Sequence, residues 1–143
     1  MGQVTEAHAA QKSRYSFPYQ VTMTREYLTL SEVGFDDEIA EYFYYNSKQR
    51  ELEIGFGGVV HNGQHRAVGC SVKVTAWRSG KSRLHGSHQL HDLETNLGVV
   101  SLLLSIDAKD ERIVMAVNTV DNRYVEWHFE AACLEIALAN GFR

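Results

Sequence analysis

A chain of 143 residues, 44% hydrophobic and 22% charged, is one ordinary domain's worth of sequence: long enough to bury a single core and too short for two. One proline and eleven glycines argue against a linker-rich, collagenous or disordered polymer. A net charge of -4 disfavours wholesale coating of nucleic acid or of an anionic membrane, and no run approaches the roughly 20 apolar residues of a membrane span.

Residues 1–13 are polar and lack apolar periodicity, which predicts a flexible arm with little to dock it. That arm also lacks the apolar core of a signal peptide, so a cytoplasmic, reducing setting is the expectation. From residue 14 to 143 the pattern reads as one β-rich domain. Tyr15, Phe17, Tyr19, Val21 and Met23 alternate with polar residues, the period of two of a half-buried strand. Pro18 cannot donate to a ladder and places that strand at a sheet edge. Tyr27, Leu28 and Leu30 suggest a second extended piece before residues 31–34 turn the chain. Residues 39–45, IAEYFYY, have partly helical spacing, but their aromatic density favours strand. The polar stretch 46–50, followed by alternating Leu52, Ile54 and Phe56, then makes a hairpin the simplest reading. Gly57 and Gly58 end that strand. Val59 and Val60, an Asn62-Gly63 turn and the alternating stretch 67–77 predict two further strands.

The stretch FYYNSKQRELEIGF, residues 43–56, lays over LSIDAKDERIVMAV, residues 104–117, at one constant offset. Lys48 faces Lys109, Leu52 faces Ile113 and Ile54 faces Met115. Downstream, CSVKVTAW at 70–77 resembles YVEWHFEA at 124–131 as a third strand. These matches suggest half-repeats at 35–77 and 90–136, although hairpins that share turn chemistry also produce such a pattern without duplication. The closing EAACLEIALANGFR is rich in Ala and Leu and ends on Asn140-Gly141, which predicts a short helix over 130–140 packed on the sheet. The expected fold class is mainly β, of the α+β kind: an antiparallel sheet of hairpins with one C-terminal helix.

Few constellations carry chemistry. His85, His88 and His91, followed by Asp92, offer zinc-type ligands within eight residues. Gly86 and Ser87 weaken the helix that would align them, and a strand would put them on different faces, so an exposed polar loop is the simpler account. Cys70 and Cys133 lie far apart, with no CxxC or Cys/His spacing and no need of a disulfide. No GxSxG elbow is present, and the pairs Asp36-Asp37 and Asp110-Glu111 read as solvated turns. The expectation is a non-enzymatic protein without metal or cofactor.

Charge is distributed unevenly: residues 26–53 carry a balance of -6, residues 54–89 a balance of +5 with no acid at all, and residues 90–143 a balance of -5. Segments of opposite sign either neutralise each other in space or face partners. In the second case Asp36, Asp37, Glu38 and Glu41, beside the aromatic anchors Tyr42 and Tyr44, form an acidic surface for a basic protein partner. The loop bearing Trp77, Arg78, Lys81 and Arg83 would instead meet an anionic ligand or nucleic acid.

The runs Phe35-Asp36-Asp37-Glu38-Ile39, Leu52-Glu53-Ile54-Gly55-Phe56 and Leu90-His91-Asp92-Leu93-Glu94 carry a resemblance at the level of pattern, over residues 33–136. The chain resembles small β-rich immunity proteins of bacterial polymorphic-toxin systems. It departs from them in the N-terminal arm, the Ala-rich C-terminal segment and the basic insert 78–91. The resemblance implies a protein that binds and blocks a cognate toxin in the producing cell, with no cofactor. The alternative is an anion-binding or nucleic-acid-binding β module that uses the basic loop; a metal-dependent enzyme built on the histidines trails both.

Overall fold

The computed structural model describes residues 23–142. The arm at 1–13 and the strand expected from Tyr15 lie outside the described residues, apart from Met23. The first strands are β1 (Met23–Leu28), β2 (Val33–Gly34), β3 (Ala40–Asn46), β4 (Glu51–Phe56), β5 (Val59–His61), β6 (Gln64–Arg66) and β7 (Cys70–Thr75). They are followed by β8 (Ser79–Leu84), β9 (His91–Asp92), β10 (Val100–Lys109), β11 (Arg112–Thr119), β12 (Tyr124–Glu130) and β13 (Cys133–Phe142). One-turn 3-10 helices cover Leu30–Glu32 and Leu93–Asn96.

Both aligned stretches form hairpins, but with turns of four residues (47–50) and two (110–111). Their first strands therefore differ in register by two: Tyr45 opposes Leu52, whereas its aligned counterpart Ile106 opposes Met115 and not Ile113. In β3–β4, Phe43 opposes Ile54 and Tyr45 opposes Leu52; in β10–β11, Ile106 opposes Met115 and Ala108 opposes Ile113. The polar turns close with left-handed backbone at Arg50 (φ 52°) and at Asp110 and Glu111 (φ 53° and 63°). A third strand joins each hairpin, β7 on β4 and β12 on β11. Register corrects the sequence alignment of these third strands by one residue. Glu51 pairs with Thr75, and Arg112, the counterpart of Glu51, pairs with Glu130, so Thr75 answers Glu130 and not Phe129.

Each three-stranded unit then sends its next strand to the opposite sheet. The chain crosses after Ala76 into β8, which pairs with β12, and after Ala131 into β13, which pairs with β7. The sheets are therefore ordered β1-β13-β7-β4-β3 and β10-β11-β12-β8-β9, all antiparallel, with a small sheet β2-β5-β6 beside them. Inner faces meet in one core: Leu52, Ile54, Val72 and Val74 from the first sheet, and Ile113, Met115, Val117 and Phe129 from the second, are fully or almost fully buried. Phe43 lies 5.8 Å from Trp127 and Trp77 lies 4.9 Å from Phe129, ring centre to ring centre, across the two layers.

Three expectations are corrected. No C-terminal helix forms: residues 133–142 are strand β13, enclosed between β1 and β7, so both edges of its backbone enter ladders. Ile136 and Leu138 point into the core, and that burial outweighs a helix preference of a few tenths of a kcal/mol per residue. The Asn62-Gly63 turn (φ 49° and 82°) joins β5 to the short β6, while β7 leaves for another sheet. Residues 77–83 are no loop, because Trp77 is buried in the core and residues 79–84 are β8. Among the described residues no helix is long and apolar enough to cross a membrane.

Both crossovers place an alanine in the left-handed region, Ala76 at φ 59° and Ala131 at φ 55°. An L side chain there costs about 1–2 kcal/mol, partly offset by the greater unfolded-state freedom of glycine. Ala76→Gly and Ala131→Gly should each raise stability by about 0.5 kcal/mol in urea unfolding, and valine at either position should lower it.

Candidate interaction groove

After β1 the chain turns through Leu30–Glu32, where the Thr29 N–H donates to Glu32 Oε2 at 2.8 Å and the Thr29 hydroxyl donates to the same oxygen at 2.7 Å. The small sheet holds this segment from behind. The Asn62 N–H donates to the Glu32 carbonyl at 2.8 Å, β2 pairs with β5, and His65 Nε2 lies 2.5 Å from Glu38 Oε1. Phe35 then anchors the segment in the core, stacked on Phe56 at 4.7 Å. Asp36 and Asp37 face solvent in a tight turn, with Asp37 at φ 64° and the Glu38 N–H donating to the Phe35 carbonyl at 3.0 Å. Ile39 next bridges to Leu102 of β10.

A groove separates residues 30–37 from the edge of β10. Its two lobes, about 380 and 230 Å³, share Phe35, Asp36, Leu103 and Leu104. Leu30, Val33 and Ile106 line the inner lobe, Asp37 and Leu102 the outer one. Ile39 is 69% and Leu104 39% exposed beside it.

The strand that walls this groove is open. β10 pairs with β11 alone; past the Ile39–Leu102 bridge, residues 104–109 meet no strand on their other side among the described residues. The two-residue turn at Asp110 and Glu111 makes Lys109–Arg112 a mutually hydrogen-bonded pair. By alternation, Ile106 and Ala108 direct their N–H and C=O groups away from β11, toward the open edge.

Among the described residues, Asp36 and Asp37 belong to the acids that no base neutralises, a set that also holds Asp107, Asp110 and Glu111. Glu32 contacts His61, Glu38 contacts His65, Glu51 contacts Lys73, Asp92 contacts Lys81 and Glu126 contacts Arg83, whereas Asp36 and Asp37 enter no ion pair among the described residues. The other acids expected at a partner surface disperse. Glu38 is half-buried against His65, and Glu41 lies over Gly57 on the outer face of the first sheet. Tyr42 lies flat across Gly55, whose missing side chain makes room for the ring, and donates its hydroxyl to Glu53. Burial, together with that carboxylate, pushes the Tyr42 phenol well above its ordinary value. Tyr44 is buried and accepts from Asn46 Nδ2 at 3.2 Å. Only Asp36 and Asp37 of the expected six therefore border the groove. Sequence reasoning missed Leu102, Leu103, Leu104 and Ile106; the signal was the run of three leucines, since a strand with one buried face needs leucine only at alternate positions.

The basic residues are largely neutralised. Arg83 Nε reaches Glu126 Oε1 at 2.8 Å, Lys81 Nζ reaches Asp92 Oδ1 at 3.3 Å and Lys73 Nζ reaches Glu51 Oε2 at 3.2 Å. Trp77 is sealed between Tyr45 and Phe129, and exposed Arg78 enters no ion pair among the described residues. The histidines part company: His85 stacks on Tyr124 at 4.1 Å and His91 pairs with Ser82 on β9. Among the described residues no three His, Cys, Asp or Glu side chains converge as a metal site. Burial pushes the Cys70 thiol up to about 11, so it is a packed side chain and a poor nucleophile, and Cys133 is exposed on another strand face. Comparison with protein-family profiles, with curated proteins and with solved structures finds no match to this chain.

Burial alone would raise the Glu126 carboxyl, but hydrogen bonds from Arg83 and His128 hold it below its ordinary value. A depressed carboxylate stabilises the fold above its unfolded pKa, and the contribution is lost as pH falls through the folded one. The stability gap between the native chain and Glu126→Gln should therefore narrow from about pH 5 to about pH 3 in urea titrations. A constant gap would mean that the Arg83 pair contributes nothing.

Proposed function

We propose that this chain is a non-enzymatic protein-binding inhibitor of the immunity type, which engages a basic toxin partner through the groove between residues 30–37 and β10. One observation carries the reading: the carboxylates of Asp36 and Asp37, in no ion pair among the described residues, border a groove of mixed polar and apolar lining flanked by exposed Ile39 and Leu104. Leucine side chains beside a charged rim fit a protein interface of the polar, non-obligate kind, in which apolar contacts supply affinity and rim charges steer encounter. The anionic-ligand alternative has less behind it, because Lys81 and Arg83 already hold carboxylates and Trp77 is unavailable. The proposed setting is the cytoplasm of the toxin-producing cell, where such an inhibitor meets its target before export.

The test measures binding of the purified chain to the product of the adjacent reading frame at two salt concentrations. Asp36→Lys/Asp37→Lys should slow association by tenfold or more at low salt, with the deficit shrinking as salt rises. Arg78→Glu/Lys81→Glu should bind as the native chain does. Loss confined to the basic-strand variant would move the assignment to an anion-binding module.

A further inference from the structure

The geometry points to a mode of binding: the partner adds an extended strand to the free edge of β10, alternating apolar side chains toward the groove with lysines or arginines opposite Asp36 and Asp37. The inference rests on the interaction reading above and names the chemistry of what the groove takes. Three independent features converge on it. Residues 104–109 present about 20 Å of strand edge, enough to pair with some six residues. Ile106 and Ala108 direct backbone donors and acceptors into that edge, which a helix or a loop cannot match in sequence but a strand can. The groove beside it offers Leu30, Val33 and Leu104 next to Asp36 and Ser105, so an added strand finds apolar contacts for some side chains and a carboxylate for a base.

Charge decides the partner's composition. Asp36 and Asp37 stand at one end of the edge, and Asp107, Asp110 and Glu111, none in an ion pair among the described residues, are exposed toward the other. Lys109 is the only base within the open stretch, so an acidic strand would meet mostly like charge and a basic one mostly opposite charge. Edge strands in monomeric proteins are commonly guarded by charged side chains, proline, bulges or a covering element. This edge carries Asp107, Lys109 and a register shift between Leu103 and Ser105, guards toward its two ends that leave Ile106 uncovered by proline or by a paired strand among the described residues.

The probe is an acetylated and amidated heptapeptide of alternating lysine and valine, with its glutamate counterpart as control. Amide hydrogen exchange and titration by nuclear magnetic resonance read the result on the full chain. The lysine peptide should slow exchange at Ile106 and Ala108 by tenfold or more, and the glutamate peptide should not. Asp36→Lys/Asp37→Lys and Ala108→Pro should each weaken lysine-peptide binding at least tenfold. The proline variant keeps the β11 ladder, since the Ala108 N–H does not enter it, and an unchanged melting temperature verifies this. Peptide binding without protection of those two amides, or equal binding of both peptides, would overturn the proposal. So would amides already protected in the free chain, whether by a second copy, seen as concentration-dependent mass, or by residues 1–22. Binding of the adjacent gene product that survives Ala108→Pro but fails with Asp36→Lys/Asp37→Lys would sink strand addition and leave the inhibitor reading intact. Absence of any such binding would sink the reading itself.

Discussion

Everything in this molecule hangs on the exchange of strands between the two sheets. β7 continues into β8 of the opposite layer and β12 into β13, so neither three-stranded unit has a complete sheet of its own. At the first crossing Trp77 enters the core against Phe129 and Tyr45, and its carbonyl accepts from Arg50 Nη1 at 3.0 Å, which ties the crossover to the β3–β4 turn. At the second, the Ala132 N–H donates to the Glu111 carbonyl at 3.1 Å, tying that crossover to the β10–β11 turn. The two joints are near-equivalent, and each clamps the hairpin of its own unit as the chain leaves for the opposite sheet.

The free edge of β10 is a consequence of that arrangement. The exchanged strands β8 and β13 occupy the far sides of β12 and β7, so β3 and β10 are left as the outer strands of their sheets on the same side of the sandwich. They approach each other, but only Ile39 and Leu102 bridge. Residues 30–37 run alongside the gap without pairing across it. Their acid turn is fixed by Phe35 in the core and by the small sheet behind, which pre-organises the groove and lowers the ordering cost of an incoming strand. A buried polar cluster steadies the other end of the second sheet: Trp127 Nε1 donates to the Asn96 carbonyl at 3.1 Å, and Asn96 Nδ2 donates to Ser82 Oγ at 3.1 Å.

Hairpins were legible in the sequence because alternation and turn chemistry agree there: Phe43 to Phe56 and Leu104 to Val117 read as strand, turn, strand, and fold so. The C-terminal strand was not, since Ala and Leu favour helix locally while the pairing that holds β13 comes from residues more than fifty positions away. Yet Leu134, Ile136 and Leu138 do alternate, and period outranks propensity when the neighbours are distant. The acidic segment was visible as charge, but its division among three surfaces was not, because Glu38 meets His65, and Tyr42 settles on Gly55, only after the sheets assemble. Basic residues were equally visible, and their partners Glu126 and Asp92 lie in a different stretch of chain.

The claim that binding belongs to this groove and not to the basic strand is tested most directly by site-specific photo-crosslinking. A benzophenone side chain is placed at Leu104 in one sample and at Lys81 in another, each mixed with the adjacent gene product and mapped by mass spectrometry. The account predicts a crosslink from position 104 to a lysine- or arginine-bearing extended segment of that protein, and none from position 81. Crosslinks from position 81 alone would contradict it.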